Sequence, residues 1–308
     1  MRIIKAHESI EVAHPVFLVF GQPGICKSSL GYSAKDPLLL DFDQGAHRAA
    51  NRRDTLQITA WRDVMELMDA KAALEPYQTI TVDTVGRCLD LMAVDIIEQT
   101  PKYGRDGGLT LQGFGVLKGR FQTWMTQLRA LGKDVLLLAH QKEDKDGDTV
   151  IVRPDITGGS YGEVMKIADF VAFVYMRGRD RILDFNPTDR WVGKNPAGWA
   201  PFTVPPVAKA QAFLAGLIDQ GREALGAISA ESAKVAQQVD DWRTNIDTFT
   251  EPEECTKAIP QINQLEPVVV PQVKKLLADR AKALGFVFDP KVKAFKAEKQ
   301  PEPAGATA

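Results

Sequence analysis

The stretch Gly21-Gln22-Pro23-Gly24-Ile25-Cys26-Lys27-Ser28-Ser29 constrains this chain more than any other. It follows the phosphate-binding pattern G-x-x-x-x-G-K-[ST], except that Cys26 stands where the second glycine is expected. The apolar run Val16-Phe17-Leu18-Val19-Phe20 precedes it, and a segment from Lys27 to about Ala34 can open a helix behind it. Strand, glycine loop and helix, in that order, curl backbone N–H groups round phosphate oxygens and aim a helix N-terminus at them. Gly21 and Gly24 provide the backbone freedom. Lys27 is placed to reach the outer phosphates and Ser28 to hold Mg²⁺. Cys26 keeps its N–H, so the cradle loses no donor. The thiol fits where φ is negative and strains the backbone by roughly 1–2 kcal/mol where φ is positive. The plain alternative is an ordinary loop between a strand and a helix.

The surrounding rhythm decides between these. Short apolar runs recur at Val16–Phe20, Pro37–Asp41, Thr79–Asp83, Val135–Ala139 and Phe170–Tyr175. They are mostly uninterrupted, as strands buried on both faces are. Helical stretches such as Trp61–Leu74, Arg87–Gln99 and Leu117–Leu131 separate them. This pattern predicts an α/β fold, a mostly parallel sheet flanked by helices. The chain has 308 residues, room for about two domains. After Pro201-Phe-Thr-Val-Pro205-Pro206 the composition turns to Ala, Gln, Lys and Glu. Helices are expected there at 208–228, 230–249, 251–265 and 270–285, with Thr250 and Glu253 as a capping box. The predicted organisation is a core over 1–205, a helical module over 206–288 and a disordered tail over 289–308.

Composition excludes several classes. The formal net charge is −2, which speaks against a strongly basic nucleic-acid protein but allows a local basic groove. Cys26, Cys88 and Cys255 are widely spaced with no zinc pattern, so a reducing cytoplasm is the expected setting. No apolar run is long enough to span a membrane, the N-terminus is too charged for a secretory signal, and no internal repeat occurs.

Three strand ends carry polar residues at the edge where open α/β sheets bind ligands. Thr79-Ile-Thr-Val-Asp83-Thr84 ends in a carboxylate suited to positioning Mg²⁺; the alternative is an Asp that caps the next helix. Leu38-Leu-Leu-Asp41-Phe-Asp43-Gln-Gly45 ends in two acids. Asp43 is a candidate for orienting water at a terminal phosphate, unless both acids only shape the turn into Gly45. Val135-Leu-Leu-Leu-Ala-His140-Gln141 ends in a polar pair that can sense a phosphate, or is a solvated strand end.

With these residues in view, the chain resembles RecA-type ATPases over about 15–202, and most of all the small RecA-like ATP-binding proteins that bacteriophages carry for recombination or single-strand annealing. The resemblance implies a RecA-like P-loop NTPase core that binds ATP and Mg²⁺. LLLDFDQG is similar to the strand whose second acid activates water, which supports Asp43, with Asp here in place of the longer Glu. LLLAHQKE resembles the strand that places Gln141 at the phosphate sensor. Ile156-Thr157-Gly158-Gly159-Ser160 resembles the Thr-Gly-Gly that closes a DNA-binding loop. Trp191-Val-Gly-Lys194-Asn195-Pro196 resembles a segment whose lysines reach the neighbouring subunit's nucleotide, with Pro196 in place of the second lysine.

The resemblance therefore implies a homo-oligomer with nucleotide at its subunit interfaces, single-stranded DNA as partner, a single-strand DNA-binding protein as a further candidate partner, and, for a phage-encoded chain, the bacterial host cytoplasm. The matching DNA loops are 141–159 and 101–115. The first carries Lys142, Lys145 and Arg153 among more numerous acids; the second carries Lys102, Tyr103, Arg105 and Phe114, an aromatic and basic mixture able to stack a base. A mobile surface loop is the plain reading of each. Two other functions stay open: a P-loop kinase for a small substrate, for which Arg177, Arg179 and Arg181 lie close together but follow a strand and are not in a lid-like insertion, and a nucleotide-binding assembly protein with little hydrolysis.

Overall fold

The computed structural model describes residues 2–146 and 149–298. In chain order the elements are β1 (Val16–Gly21), α1 (Lys27–Gly31), β2 (Pro37–Asp41), β3 (Thr55–Gln57), α2 (Trp61–Asp69), α3 (Lys71–Leu74), β4 (Thr79–Asp83), α4 (Val85–Gln99), the short pair β5 (Gly104–Arg105) and β6 (Gly108–Leu109), and α5 (Leu111–Ala130). Then come β7 (Asp134–Asp146), β8 (Thr149–Pro154), α6 (Gly159–Ile167), β9 (Phe170–Arg177), β10 (Asp180–Asp184), β11 (Phe202–Val204), α7 (Phe213–Asp247), α8 (Pro252–Ile262), α9 (Val270–Ala283), β12 (Phe286–Asp289) and β13 (Ala294–Ala297). The chain divides into two compact units, Val12–Leu225 and the residues up to Glu11 together with those from Gly226 onward.

The first unit is built on one sheet in the order β11-β10-β9-β1-β7-β4-β2-β3, with β8 paired to the far half of β7. β1, β2, β3, β4, β7 and β9 run parallel, while β10, β11 and β8 are antiparallel to their neighbours. The apolar runs are continuous because both faces are covered. Val16, Leu18 and Phe20 pack into one cluster with Cys88, Phe121 and Trp124. Phe17 and Val19 pack into another with Leu30, Leu214, Leu217 and Ile218. Alternation along each strand thus sorts side chains between the α4–α5 face and the α1–α7 face. The register aligns the strand ends: Gly21 lies beside His140, and Asp83 beside Asp41.

The structure corrects several expectations. Composition changes near residue 206, but the first unit continues to Leu225. Leu214, Leu217 and Ile218 are buried on the sheet, so the change marks the last strand of that sheet and not the end of its core. The helices expected at 208–228 and 230–249 are one helix, α7, because nothing between Gly226 and Ser229 breaks it. The segment 141–159 is mainly a β-hairpin and not a loop: Thr149-Val-Ile-Val supplies a β-branched strand, β8, which pairs with the end of β7. The 101–115 segment holds a 3₁₀ turn, the β5–β6 pair and the first turn of α5.

In the second unit, α8 and α9 surround Cys255, Ile262, Val273 and Leu277. The box at its start is shifted by one residue: Glu254, not Glu253, accepts from the N–H groups of Thr250 and Glu251 at 2.7 and 2.9 Å. Part of the expected tail is ordered. β12 and β13 form a hairpin, Phe288 and Phe295 meet edge to face at 5.2 Å, and the Phe295 N–H donates to Thr256 Oγ1 at 2.8 Å. Residues 299–308 lie outside the described residues.

Gly221 shows how closely α7 lies on the sheet. A Cβ there would come within 2.8 Å of Phe17 Cζ and 3.0 Å of Phe170 Cε2, two rings stacked at 4.6 Å. Gly221→Val is expected to destabilise the first unit by about 1–3 kcal/mol through overpacking. Urea unfolding followed by tryptophan fluorescence measures it; a midpoint at or above the native one would contradict this packing.

Candidate nucleotide-binding site

The loop after β1 turns through Gly24 at φ 79° and Cys26 at φ 69°, both left-handed, before α1 begins at Lys27. The conformation that favours glycine is therefore imposed on a cysteine. The Cys26 thiol is half-buried, and the Arg181 guanidinium donates to its Sγ at 3.3 Å. Lys27 is buried and its ammonium donates to the carbonyls of Gly21 and Gln22 at 3.0 and 2.9 Å. These two bonds tie the lysine to the start of its own loop. Burial lowers the Lys27 pKa to about 8, against the opposing pull of Asp83 and Asp43.

Asp83 is buried at the end of β4 beside Ser28. Burial pushes its carboxyl up to about 6; Asp43 and Asp41 add repulsion, while the Ser28 hydrogen bond and Lys27 oppose the rise. The carboxylate does not cap α4, whose N-cap residue is Thr84. The two acids after β2 separate cleanly. Asp41 is fully buried and accepts from the N–H groups of Gly45 and Ala46, each at 3.0 Å, so it shapes the turn. Asp43 faces the site. Its Oδ2 lies 3.0 Å from His140 Nε2, and its Oδ1 accepts from Thr84 Oγ1 at 3.3 Å and lies 3.8 Å from Arg87 Nε. Burial pushes the Asp43 carboxyl up, but the His140 and Thr84 hydrogen bonds and the Arg87 charge outweigh it, so its pKa lies below the ordinary value.

One cavity of about 700 Å³ gathers these groups, lined by Pro23, Gly24, Cys26–Ser29, Asp43, Gly45, Arg48, Ala49, Asp83, Arg87 and His140. Its size suits a nucleotide. Gly21, Gln22 and Ile25 form the base of the same loop: a Cβ on Gly21 would lie 2.6 Å from the Val174 carbonyl and 3.3 Å from Ile25 Cγ2, so the loop sits tight on β9. The donor set fits Mg²⁺. The Ser28 hydroxyl and Asp83 carboxylate are hard oxygens, and a divalent cation would offset the buried charge on Asp83. Among the described residues no cluster of three or more His, Cys, Asp or Glu side chains could hold an ion.

Two predicted residues lie elsewhere. Gln141 pairs with Pro154 in the β7–β8 ladder and does not line the cavity; its Oε1 is buried without a partner. Neighbours on a strand point to opposite faces, so only one of His140 and Gln141 can face α1. His140 is that residue, with its Nδ1 3.4 Å from the Lys27 ammonium and its Nε2 on Asp43. This suits a ring that donates through Nε2 and accepts at Nδ1. Lys194 pairs through its backbone with Val171, and its ammonium donates to the carbonyls of Met165 and Ala168 at 3.1 and 2.6 Å. It satisfies the end of α6 within its own chain. Arg48 and Arg87 were not anticipated; their only sequence signal is position, each a few residues beyond a strand-ending acid.

A parallel sheet carrying a phosphate loop at one strand end, and a hydroxyl and carboxylate beside it, defines a P-loop nucleotide-binding domain. The family model described as an AAA domain matches residues 13–197, more than half of the 308-residue chain, and the chain belongs to this family of P-loop ATPases. No curated protein matches it. Among the described residues, no helix is long and apolar enough to cross a membrane.

Two outcomes follow from the loop. Cys26→Gly removes left-handed strain, so stability should rise by up to about 1 kcal/mol, the contact with Arg181 offsetting part of the gain. Thermal unfolding tests it, and a clear loss of stability would show that the thiol contact outweighs the strain. The second concerns pH. Phosphate favours charged Lys27, so nucleotide affinity should be full below about 8 and fall as pH rises through that value. Mg²⁺ needs ionised Asp83, so the Mg²⁺-dependent part of affinity should fall as pH drops through about 6. Equilibrium titrations from pH 5 to 9.5 measure both limbs; affinity independent of pH above 8 would remove Lys27 from the phosphate contact.

Proposed function

We propose that the chain is a Mg²⁺-dependent ATPase that binds single-stranded DNA and acts in phage-type recombination or strand annealing. The observation that carries the reading is the single cavity in which Lys27, Ser28, Asp83, Asp43 and His140 converge, at the C-terminal ends of β1, β4 and β2 and beside them at the point of β7 level with Gly21. In this reading the triphosphate lies along residues 21–29, and Lys27 exchanges two carbonyl partners for phosphate oxygens. Mg²⁺, held by Ser28 and Asp83, would neutralise phosphate charge. Asp43 is too weak a base to abstract a proton readily, so it orients water by accepting its hydrogen bond. His140 joins Asp43 to Lys27 and takes the sensing role assigned to Gln141.

The DNA part draws support from the surface near Thr157-Gly-Gly. Phe114 is 40% exposed, and a Cβ on Gly158 would lie 3.9 Å from its ring. Both expected DNA segments thus meet at one aromatic side chain, with Lys118 next to Gly159. Stacking on such a ring tolerates any base. Assembly with nucleotide at subunit boundaries belongs to the same reading, although Lys194 does not carry it. A kinase finds little support: Arg177 and Arg181 belong to the ordered β9–β10 hairpin, with Arg179 at its turn.

One observation favours an assembly protein with little hydrolysis. Both Asp43 oxygens already have partners, so water must compete for them. ATP turnover measured with and without single-stranded DNA separates the readings. The ATPase reading expects clear stimulation, and Phe114→Ala should weaken DNA binding by about 5- to 150-fold, equivalent to roughly 1–3 kcal/mol. Turnover near zero in both conditions, with ATP still bound, would leave the assembly role.

A further inference from the structure

Arg48 takes no part in the reading above, yet it lines the same cavity as Lys27, Ser28 and Asp83. Among the described residues its guanidinium makes no side-chain hydrogen bond or ion pair, whereas Arg87 lies 3.1 Å from Asp90 and 3.8 Å from Asp43. A surface arginine without a partner is common and means little by itself. Here the segment beneath it is built. Asp41, fully buried, grips the N–H groups of Gly45 and Ala46. The Arg48 N–H closes a turn on the Gly45 carbonyl at 3.0 Å. Beyond it, the Asn51 amide donates to the Ser29 carbonyl at 2.9 Å and ties the segment to α1. The turn is therefore anchored to the water-positioning strand at one end and to the phosphate-loop helix at the other.

Gly45 has φ −106°, a conformation open to any residue, so backbone freedom does not call for glycine there. Space does. A Cβ at Gly45 would sit 2.3 Å from an Arg48 terminal nitrogen. The guanidinium folds back over the turn into room that only a glycine leaves.

We propose that Arg48 binds the terminal phosphate of the nucleotide within its own chain. The proposal rests on the nucleotide-site reading and adds the cation that faces the phosphate from the Asp43 side. A guanidinium offers paired donors that match phosphate oxygens. Its turn starts two residues after Asp43, at the end of the cavity where water would attack, so the contact falls on the last phosphate and not on the first two. The residue raises affinity for a triphosphate over a diphosphate and supplies in cis the positive charge that Lys194 does not.

The test is equilibrium titration of the full chain with ADP and with a non-hydrolysable imidotriphosphate analogue of ATP, both with Mg²⁺. Arg48→Ala should weaken the triphosphate analogue about tenfold or more, the effect of losing a charge-assisted hydrogen bond, and ADP less than twofold. Arg48→Lys should recover part of the difference. Gly45→Ala keeps the guanidinium but fills its place, and should show the same triphosphate-selective loss without a fall in thermal stability. Equal weakening of both nucleotides, or none, in Arg48→Ala would overturn the assignment; unchanged affinities in Gly45→Ala would overturn the folded-back position. Lys27→Ala separates this failure from failure of the site: it should lose both nucleotides, and if it keeps both, the cavity is not the nucleotide site and the Arg48 contact falls with it.

Discussion

A strand covered on both faces can carry a charge only where it leaves the sheet. β1, β7, β4 and β2 are buried along their whole shared length, and their ionisable side chains come where that shared length ends: Lys27 after the glycine loop, His140, Asp83, Asp41 and Asp43. Parallel strands end at one edge, so these groups converge without any long-range design. The same burial sets their electrostatics. It disfavours charge on Lys27 and Asp83; the shifts are limited by their mutual attraction, by the pull of Asp43 on Lys27 and by the Ser28 hydrogen bond to Asp83. Bringing in a phosphate chain and a cation would compensate both groups, and this makes the site one that is completed by its ligand.

Within that frame the loop segments are individually stapled. Asp41 holds the turn after β2 through two backbone donors, Lys27 holds the phosphate loop through two carbonyls, and Lys194 holds the end of α6 through two more. Each is a charged side chain spending its hydrogen bonds on the backbone. Of the three, only Lys27 stands where a ligand could take over those bonds.

How much of this was readable depended on distance along the chain. The strand boundaries at Pro37–Asp41 and Thr79–Asp83 were legible because an apolar run in the first and a β-branched run in the second end sharply at an acid. The phosphate loop was legible because its chemistry is local. The division of labour between Asp41 and Asp43 was not, since it depends on which carboxylate finds the N–H groups of Gly45 and Ala46. His140 could have been chosen over Gln141 by counting: Leu136 and Leu138 share a face with α1, and His140 falls on the same parity. Resemblance pointed to the neighbouring glutamine. β8 was hidden by the acidic residues around it, although Thr149-Val-Ile-Val is a strong strand former. Lys194 was unreadable because its partners are carbonyls nearly thirty residues earlier, at Met165 and Ala168.

The course of α7 bears on what counts as the smallest working piece of such a protein. The family match ends at residue 197, and β11 ends at Val204. Yet Phe17 and Phe170 lie under Gly221, Leu214 donates its N–H to the Ser33 hydroxyl, and Arg222 grips Asp134 at the start of β7 with two bonds of 2.9 and 2.8 Å. A fragment cut at the last strand of this sheet would uncover the part of one face that α7 covers and leave the entry to its central strand without the Arg222 contact. The block that matches the family and the block that packs as one unit are thus different lengths of the same chain. The second reaches about Leu225, inside a helix and not at a linker, so these two units are not separable by a cut between elements.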